Sequence, residues 1–354
     1  MFDIEKYVNE HGHEQLIDCN DPQTGLRAWI AIHNTKLGPG LGGIRLWNYE
    51  SADDALLDVL RLSEGMTYKA AVAGLKLGGA KAVILGDGKE EDPRVRRDRF
   101  RVLGRIVDDL KGRYIAAEDV GTTTDDIIIV REETYHVVGL PSEVGGSGDP
   151  SPMTAIGVLE GQRALIKEVL HTDRFKGVRV SIQGLGKVGF SLASRLVAEG
   201  AYVIATDINP EVCHMTSEKL GIRIVKSDDI YNEECEIFAP CALGGVINDD
   251  TLVSLRCRIV AGSANNQLKE VKHGEILHEM GIVYAVDYVI NAGGLINVSH
   301  EMNGYDREKA LADVAKIYDT IMRMYIIARR DGISEQSAAH KMAIERLLPE
   351  VAPG

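Results

Sequence analysis

The chain has 354 residues, 45% of them hydrophobic and 26% charged, with a formal net charge of -13. One hydrophobic core stops growing near about 250–300 residues, so two domains are expected, and the composition is that of a soluble globular protein. The acidic balance excludes nucleic acid as the main partner, because a phosphate backbone would be repelled, and no apolar run approaches the roughly 20 residues that span a bilayer.

The first segment, MFDIEKYVNEHGHEQL, mixes charges and lacks an apolar stretch, so no signal peptide is expected. His11 and His13 form a bare H-x-H pair without a third ligand in view, and no metal is expected. The five cysteines, Cys19, Cys213, Cys235, Cys241 and Cys257, are scattered and never C-x-x-C; reduced thiols of a cytoplasmic protein are expected. LRAWIAIH (26–33) reads as a buried strand. A helix follows over SADDALLDVLRLSEGMTYKAA, opened by Ser51 and Asp54 in a capping-box arrangement, with Ala55, Val59, Leu62 and Met66 at helical spacing. KAVIL (81–85) is a short strand after a glycine stretch, RVRRDRFR (94–101) a solvated helix face, and RYIAA (113–117) a strand ending at Glu118-Asp119.

The stretch GLPSEVGGSGDPSP (139–152) is the best hinge or linker candidate. MTAIGVLEGQRALIKEVL then gives a helix, and from Val178 strands alternate with helices, which implies a parallel, doubly wound sheet. DREKALADVAKIYDTIMRMYIIARRDG reads as one long amphipathic helix ending at Asp331-Gly332, and a last helix is capped near Ser334. The fold class is therefore α/β, with an N-terminal α/β domain and a C-terminal Rossmann-type, doubly wound domain.

The strand VRVSIQ leads directly into G-x-G-x-x-G at Gly184, Gly186 and Gly189, and an amphipathic helix leads out. This order suits a pyrophosphate on a helix N-terminus. YVIATD ends in Asp207, a carboxylate that can accept from a ribose 2′-OH and would repel a 2′-phosphate, so NAD is expected in preference to NADP. Two more glycine stretches, LGPGLGGIR (37–45) and GLKLGGAK (74–81), lack the K-[ST] ending of a phosphate loop. Each sets backbone N–H groups beside a cation, Arg45 or Lys81, which suits a carboxylate or a developing oxyanion. Lys69 near a helix end, Lys81 at a strand start and Asp119 at a strand end complete a candidate constellation.

Eight segments in order, GPGLGGIR, GMTYKAAVAGLKLGGAK, AAEDVGTT, GDPSPMTAIGV, QGLGKVG, APCALGG, GSANNQL and YVINAGGLINV, resemble the glutamate/leucine/phenylalanine/valine dehydrogenase superfamily over nearly the whole chain, nearest its leucine branch. The resemblance implies a substrate and oligomerisation domain over 1–145, with 330–354 returning to it, and an NAD-binding domain over 146–329. It implies NAD-dependent oxidative deamination of an aliphatic L-amino acid, leucine foremost, to a 2-oxo acid and ammonium, by a homo-oligomer, dimer or octamer. Lys81 matches the catalytic lysine and Asp119 the acid that exchanges protons with the substrate nitrogen. Lys69 and Asn265 match carboxylate ligands, beside the Gly42 and Gly43 backbone. Leu41, Ala117, Leu295 and Val298 match the side-chain pocket. Thr154 and Asn291 match nicotinamide contacts. Lys187, Val188, Ile208, Cys241, Ala242, Ala264 and Asn266 join Gly184, Gly186, Gly189 and Asp207 on the cofactor. A neighbouring cation, Lys69, is expected to lower the pKa of Lys81.

Two departures stand out. Ala80 replaces a family glycine, and its methyl is expected to narrow the approach to the loop; Val286 replaces a frequent proline. Leu295 stands where leucine-specific relatives carry valine, which leaves an aromatic substrate, phenylalanine or tryptophan, as the alternative. A 2-hydroxy acid dehydrogenase would want a catalytic histidine at the strand ends, where this chain has Lys81 and Asp119, and a non-catalytic NAD-binding protein would not need to retain them.

Overall fold

Two sheets organise residues 3–86 and 92–348, the part of the chain that this computed structural model describes. They belong to two units. The first holds the described residues up to Asp149, 298–306 and those from Ala343 on; the second holds Pro150–Asn297 and Arg307–Met342. The returning tail is thus shorter than the expected 330–354, and a piece the sequence did not signal, 298–306, joins the first unit.

The first unit contains α1 (Ile4–His11), β1 (Gln15–Asp18), β2 (Ala28–Asn34), β3 (Gly40–Trp47), α2 (Ala52–Val72), β4 (Gly78–Leu85), α3 (Pro93–Asp109), β5 (Tyr114–Glu118) and α4 (Thr124–Glu133). The strand order is β1-β2-β4-β3-β5. β2 runs antiparallel to β1 and β4, while β3 is parallel to β4 and β5. Alternation along the pleat sends even-numbered residues of β4, Ala80, Ala82 and Ile84, into a core with Phe100, Leu103 and Val107 of α3 and Ile127 of α4. Val83 faces the other way, with Trp29 and Ala31, onto Leu56, Val59 and Leu60 of α2. Ser51 caps α2 as expected, accepting from the Asp54 amide at 3.2 Å. The basic run lies on α3 but is not merely solvated: Arg96 pairs with Asp126 and Arg101 with Glu133, tying α3 to α4.

Both glycine stretches run into strand, the first from Gly40 and the second from Gly78. A Cβ on Gly42 would lie 1.7 Å from the Ala80 carbonyl oxygen, and one on Gly79 would lie 2.1 Å from the Thr67 amide nitrogen. The backbone of α2 therefore rests directly on β4. Read locally, glycine is a breaker; here it is the only residue that lets these backbones approach.

The second unit carries α5 (Ser151–Leu170), β6 (Arg179–Gln183), α6 (Lys187–Ala198), β7 (Tyr202–Thr206), α7 (Pro210–Leu220), β8 (Arg223–Ile224), β9 (Ile237–Pro240), α8 (Asp249–Leu252), β10 (Ile259–Val260), α9 (Lys272–Glu279), β11 (Val283–Tyr284), α10 (Asp287–Ile290), α12 (Arg307–Ala315) and α13 (Ile317–Asp331), with the starts of α11 (Gly293–Ser299) and α14 (Glu335–Leu347), whose ends belong to the first unit. Its sheet is wholly parallel in the order β11-β10-β9-β6-β7-β8, so the winding reverses beside β6. The expected long helix is two, α12 and α13, interrupted at Lys316. The expected stop is observed: Gly332 ends α13 in the left-handed conformation.

Segment 139–149 is not loose within the first unit. One carboxylate, that of Glu301, accepts from the amides of Gly139 at 3.0 Å, Leu140 at 3.3 Å and Ser147 at 2.8 Å. Arg346 does similar work at the other returning piece. It donates to the carbonyls of Ala71, Gly74 and Leu75, beyond which the chain enters β4. A cation on the carbonyls at the end of a helix also matches the helix dipole.

Candidate active site

Register places Leu41 of β3 opposite Gly79 of β4 and Ile115 of β5, and Gly43 opposite Ala117. Leu41, Gly43 and Arg45, Gly79 and Lys81, and Ala117 consequently share the face opposite the Ala80 core. Asp119 follows directly after β5. A Cβ on Gly43 would lie 2.6 Å from the Asp119 Cβ, so glycine at 43 makes room for that acid. The Asp119 backbone is fixed by Thr122, whose hydroxyl accepts from the Asp119 amide at 3.0 Å and meets the Ile44 carbonyl at 2.9 Å.

Lys81 Nζ lies 2.8 Å from Asp119 Oδ2. The lysine is only 4% exposed. Burial lowers its pKa below the ordinary lysine value; Asp119 opposes that shift and the Arg45 guanidinium adds to it. Burial would raise the Asp119 carboxyl, but Lys81 and Arg45 together overcome it and hold the acid below its ordinary value. Arg45 is therefore a cation that lowers the pKa of Lys81, a part that the sequence did not assign to it. Lys69 lies half-buried in the last turn of α2. Leu41 and Ala117 are buried. Ala80 corrects another expectation: its methyl belongs to the core on the far face of β4, beside Gly40, and does not narrow the approach to Lys81. Val298 is buried in α11 within this unit.

In the second unit the three glycines occupy distinct environments at the turn from β6 to α6. Gly184 has φ +99°, and a Cβ there would lie 2.7 Å from that of Ala242. Gly186, the N-cap of α6, would meet nothing within 4 Å, which leaves the open cradle a pyrophosphate needs. Gly189 lies so close to the turn that a Cβ would sit 2.0 Å from the Gly184 carbonyl oxygen. Lys187 is exposed and Val188 half-buried in the first turn of α6. Asp207 follows β7 and accepts from the Leu185 amide at 2.7 Å and the Asn209 amide at 2.9 Å. Asp207 and the exposed Ile208 line a cavity of about 860 Å³ with Pro210, Lys226 and Ser227. The residues fit a dinucleotide.

Around the end of β9 and β10, Cys241 and Ala242 flank the glycine turn, the Cys241 amide donating to Gln183 at 2.7 Å. Ala264 is buried, while Asn266 takes a left-handed φ of 51°. The Asn291 amide nitrogen donates to the Asn265 side chain at 2.7 Å and to the Ser263 carbonyl at 3.1 Å, so these two residues are brought together. Thr154 donates to the Pro150 carbonyl at 3.1 Å, and Gly294 lies against its hydroxyl. Leu295 is buried in α11.

Sequence reasoning missed Asp58 and Tyr49, and gave Arg45 only a ligand-binding role. Their one signal was Arg45 itself, two positions beyond Gly43 and thus on the Lys81 face once β3 is seen as a strand.

Residues 13–136 match the family model described as the Glu/Leu/Phe/Val dehydrogenase dimerisation domain, and residues 145–216 and 210–349 match that of glutamate/leucine/phenylalanine/valine dehydrogenase. The chain is 52% identical over 345 residues to a leucine dehydrogenase of Bacillus cereus, covering 98% of this chain and 93% of that one. It is 46% identical to a phenylalanine dehydrogenase of Thermoactinomyces intermedius, covering 98% and 94%. The solved L-tryptophan dehydrogenase from Nostoc punctiforme matches with a TM-score of 0.86 at 41% identity, over 97% of this chain and 98% of that one. With a buried lysine–aspartate pair in one unit and a dinucleotide turn in the other, this chain is an amino acid dehydrogenase and belongs to the Glu/Leu/Phe/Val dehydrogenase family.

Proposed function

We propose that the chain catalyses the NAD-dependent oxidative deamination of branched-chain L-amino acids, L-leucine first, to the 2-oxo acid, ammonium and NADH, as a homo-oligomer. The observation that carries this reading is the Lys81–Asp119 pair on the same sheet face as the buried apolar side chains of Leu41 and Ala117. Lys69 and the Gly42–Gly43 backbone take the substrate α-carboxylate. Asp119, kept ionised by two cations, accepts a proton from the substrate nitrogen and returns it to the departing amine. The nicotinamide, when bound, accepts the hydride from Cα. Lys81, its pKa lowered by burial, takes the proton of the water that attacks the resulting iminium carbon. Gly184, Gly186 and Gly189 cradle the pyrophosphate, and Asp207 favours NAD over NADP.

A γ-carboxylate beside Leu41 and Ala117 would be a buried charge without a partner, a cost of several kcal/mol, whereas each buried CH₂ contributes about 0.8 kcal/mol. Leucine, isoleucine and valine are therefore expected to exceed glutamate and alanine in kcat/KM. NADH oxidation with 4-methyl-2-oxopentanoate should require ammonium. Turnover without ammonium would instead select a hydroxy acid dehydrogenase, and glutamate ranking first would overturn the pocket assignment. Phenylalanine or tryptophan ranking first would keep the chemistry and move the substrate class, with Leu295 as the residue responsible. Lys81→Ala should retain NAD binding and lose about 100-fold or more in turnover; residual turnover above a tenth of the parent would remove Lys81 from the base role.

A further inference from the structure

The Lys81–Asp119 pair is one end of a longer chain of contacts within the first unit. Arg45 donates Nε to Asp119 Oδ2 at 2.9 Å and Nη1 to Asp58 Oδ2 at 2.9 Å. The same oxygen of Asp58 accepts from the Tyr49 hydroxyl at 2.5 Å. Each member comes from a different place: Lys81 from β4, Asp119 from the end of β5, Arg45 from β3, Asp58 from the second turn of α2 and Tyr49 from the loop between β3 and α2. Arg45, Asp58 and Tyr49 then line a cavity of about 430 Å³ together with Trp47, Arg61 and Val120.

A guanidinium held by one carboxylate can swing about that contact. Held along its plane by two, it presents Nε to Asp119 in one orientation. The charges also matter. With Lys81 protonated, the two cations and the two carboxylates, Asp119 and Asp58, cancel; without Asp58 the set carries one positive charge. Asp58 thus offsets the repulsion that Arg45 exerts on Lys81.

We propose that Asp58 is a positioning residue for the deamination, acting through Arg45 to hold the Asp119 carboxylate against Lys81 and to balance the arginine's charge at that lysine. This rests on the roles given above to Lys81 and Asp119. Asp58 and Asp119 favour the protonated lysine while burial and Arg45 disfavour it. Removing the Asp58 charge takes away one of the two carboxylates that balance Arg45, and Lys81 then gives up its proton at lower pH.

The test is the pH profile of kcat/KM for leucine oxidation by the full chain in the parent, Asp58→Asn and Tyr49→Phe. Activity rises with pH as Lys81 deprotonates. In Asp58→Asn that rise should move toward acid by about one pH unit, the effect of removing one charge at the effective dielectric of a partly buried site. Tyr49→Phe keeps every charge and should leave the rise in place. A profile for Asp58→Asn that superimposes on the parent's overturns the inference, as does an equal shift in both variants. Asp58→Ser removes the same charge if the amide variant does not fold. Lys81→Ala retaining turnover would strike the catalytic assignment instead, so the two failures are distinct.

Discussion

On the proposed reading Asp207, which follows β7, takes the ribose, while its two oxygens already accept from Leu185 and Asn209, bracing the turn that holds Gly184. Asp207→Ser should therefore raise NADP use relative to NAD and also weaken NAD binding, since both amides lose an ionised acceptor worth about 1.5–3 kcal/mol each. Dissociation constants for both dinucleotides would check this; an unchanged preference would remove Asp207 from the ribose. Ala80 makes the opposite point. Its methyl packs in the core beside Gly40, so Ala80→Gly should leave KM for leucine unchanged and cost about 1 kcal/mol of stability, through backbone freedom and a small void. A lowered KM would show that the methyl does reach the substrate. The dinucleotide turn was legible in the sequence because strand, glycines, helix and acid all fall between Val180 and Asp207. The Arg45–Asp58 link was not, because it joins separate segments and depends on β3 being a strand.

At the scale of elements, α2 lying on β4 organises the first unit, and a cluster of imidazoles lies where it meets β2. His33 is buried between the Thr67 hydroxyl at 2.7 Å and the His11 carbonyl at 3.0 Å, and His13 donates to the Leu60 carbonyl at 3.0 Å. Their rings meet edge to face, and His11 pairs with Glu64 nearby. The second ring nitrogen of His13 is buried without a partner, so a proton there would find no acceptor. Burial lowers both pKa values; Glu64 opposes the shift and the neighbouring imidazoles add to it. In the unfolded chain both histidines titrate near about 6.5. Below that pH the unfolded chain binds more protons than the folded one, so the stability these groups contribute is complete above about pH 6.5 and is lost as pH falls toward their folded values. Urea midpoints should fall between about pH 7 and 5, and less so in His13→Gln, which keeps a donor for Leu60 but does not titrate. Equal slopes in parent and variant would refute the role of His13. Nothing in the H-x-H pair announced this cluster, since its third member arrives from β2. The Rossmann half, by contrast, was readable element by element, because each strand–helix step is local. The break at Lys316 was not, because the amphipathic pattern runs through it.

At the scale of the whole molecule, the chain changes unit after Asp149, Asn297, Asp306 and Met342. The Gly/Pro/Ser composition of 139–152 signalled the first change but said nothing of Glu301, which lies far along the chain and holds three amides of that segment. Glu301→Gln leaves one acceptor oxygen and turns an NH₂ toward amides that donate. Hydrogen exchange at Gly139, Leu140 or Ser147 should accelerate about 10- to 100-fold, the loss of one charge-assisted hydrogen bond. Unchanged exchange at all three would mean that the rest of the loop, not Glu301, orders the segment.

The same carboxylate sets an order of events during synthesis. Ser147 and Glu301 are 154 positions apart. At about 5–20 residues per second, the ribosome needs roughly 8–30 s to deliver the acceptor after the donors have been added. Throughout that interval the nascent segment has three amides without their eventual partner, while the nucleotide-binding unit is still being made. The amino-terminal unit is therefore among the last to be completed, and a chain that stops short of residue 301 lacks the carboxylate that holds the Gly139, Leu140 and Ser147 amides.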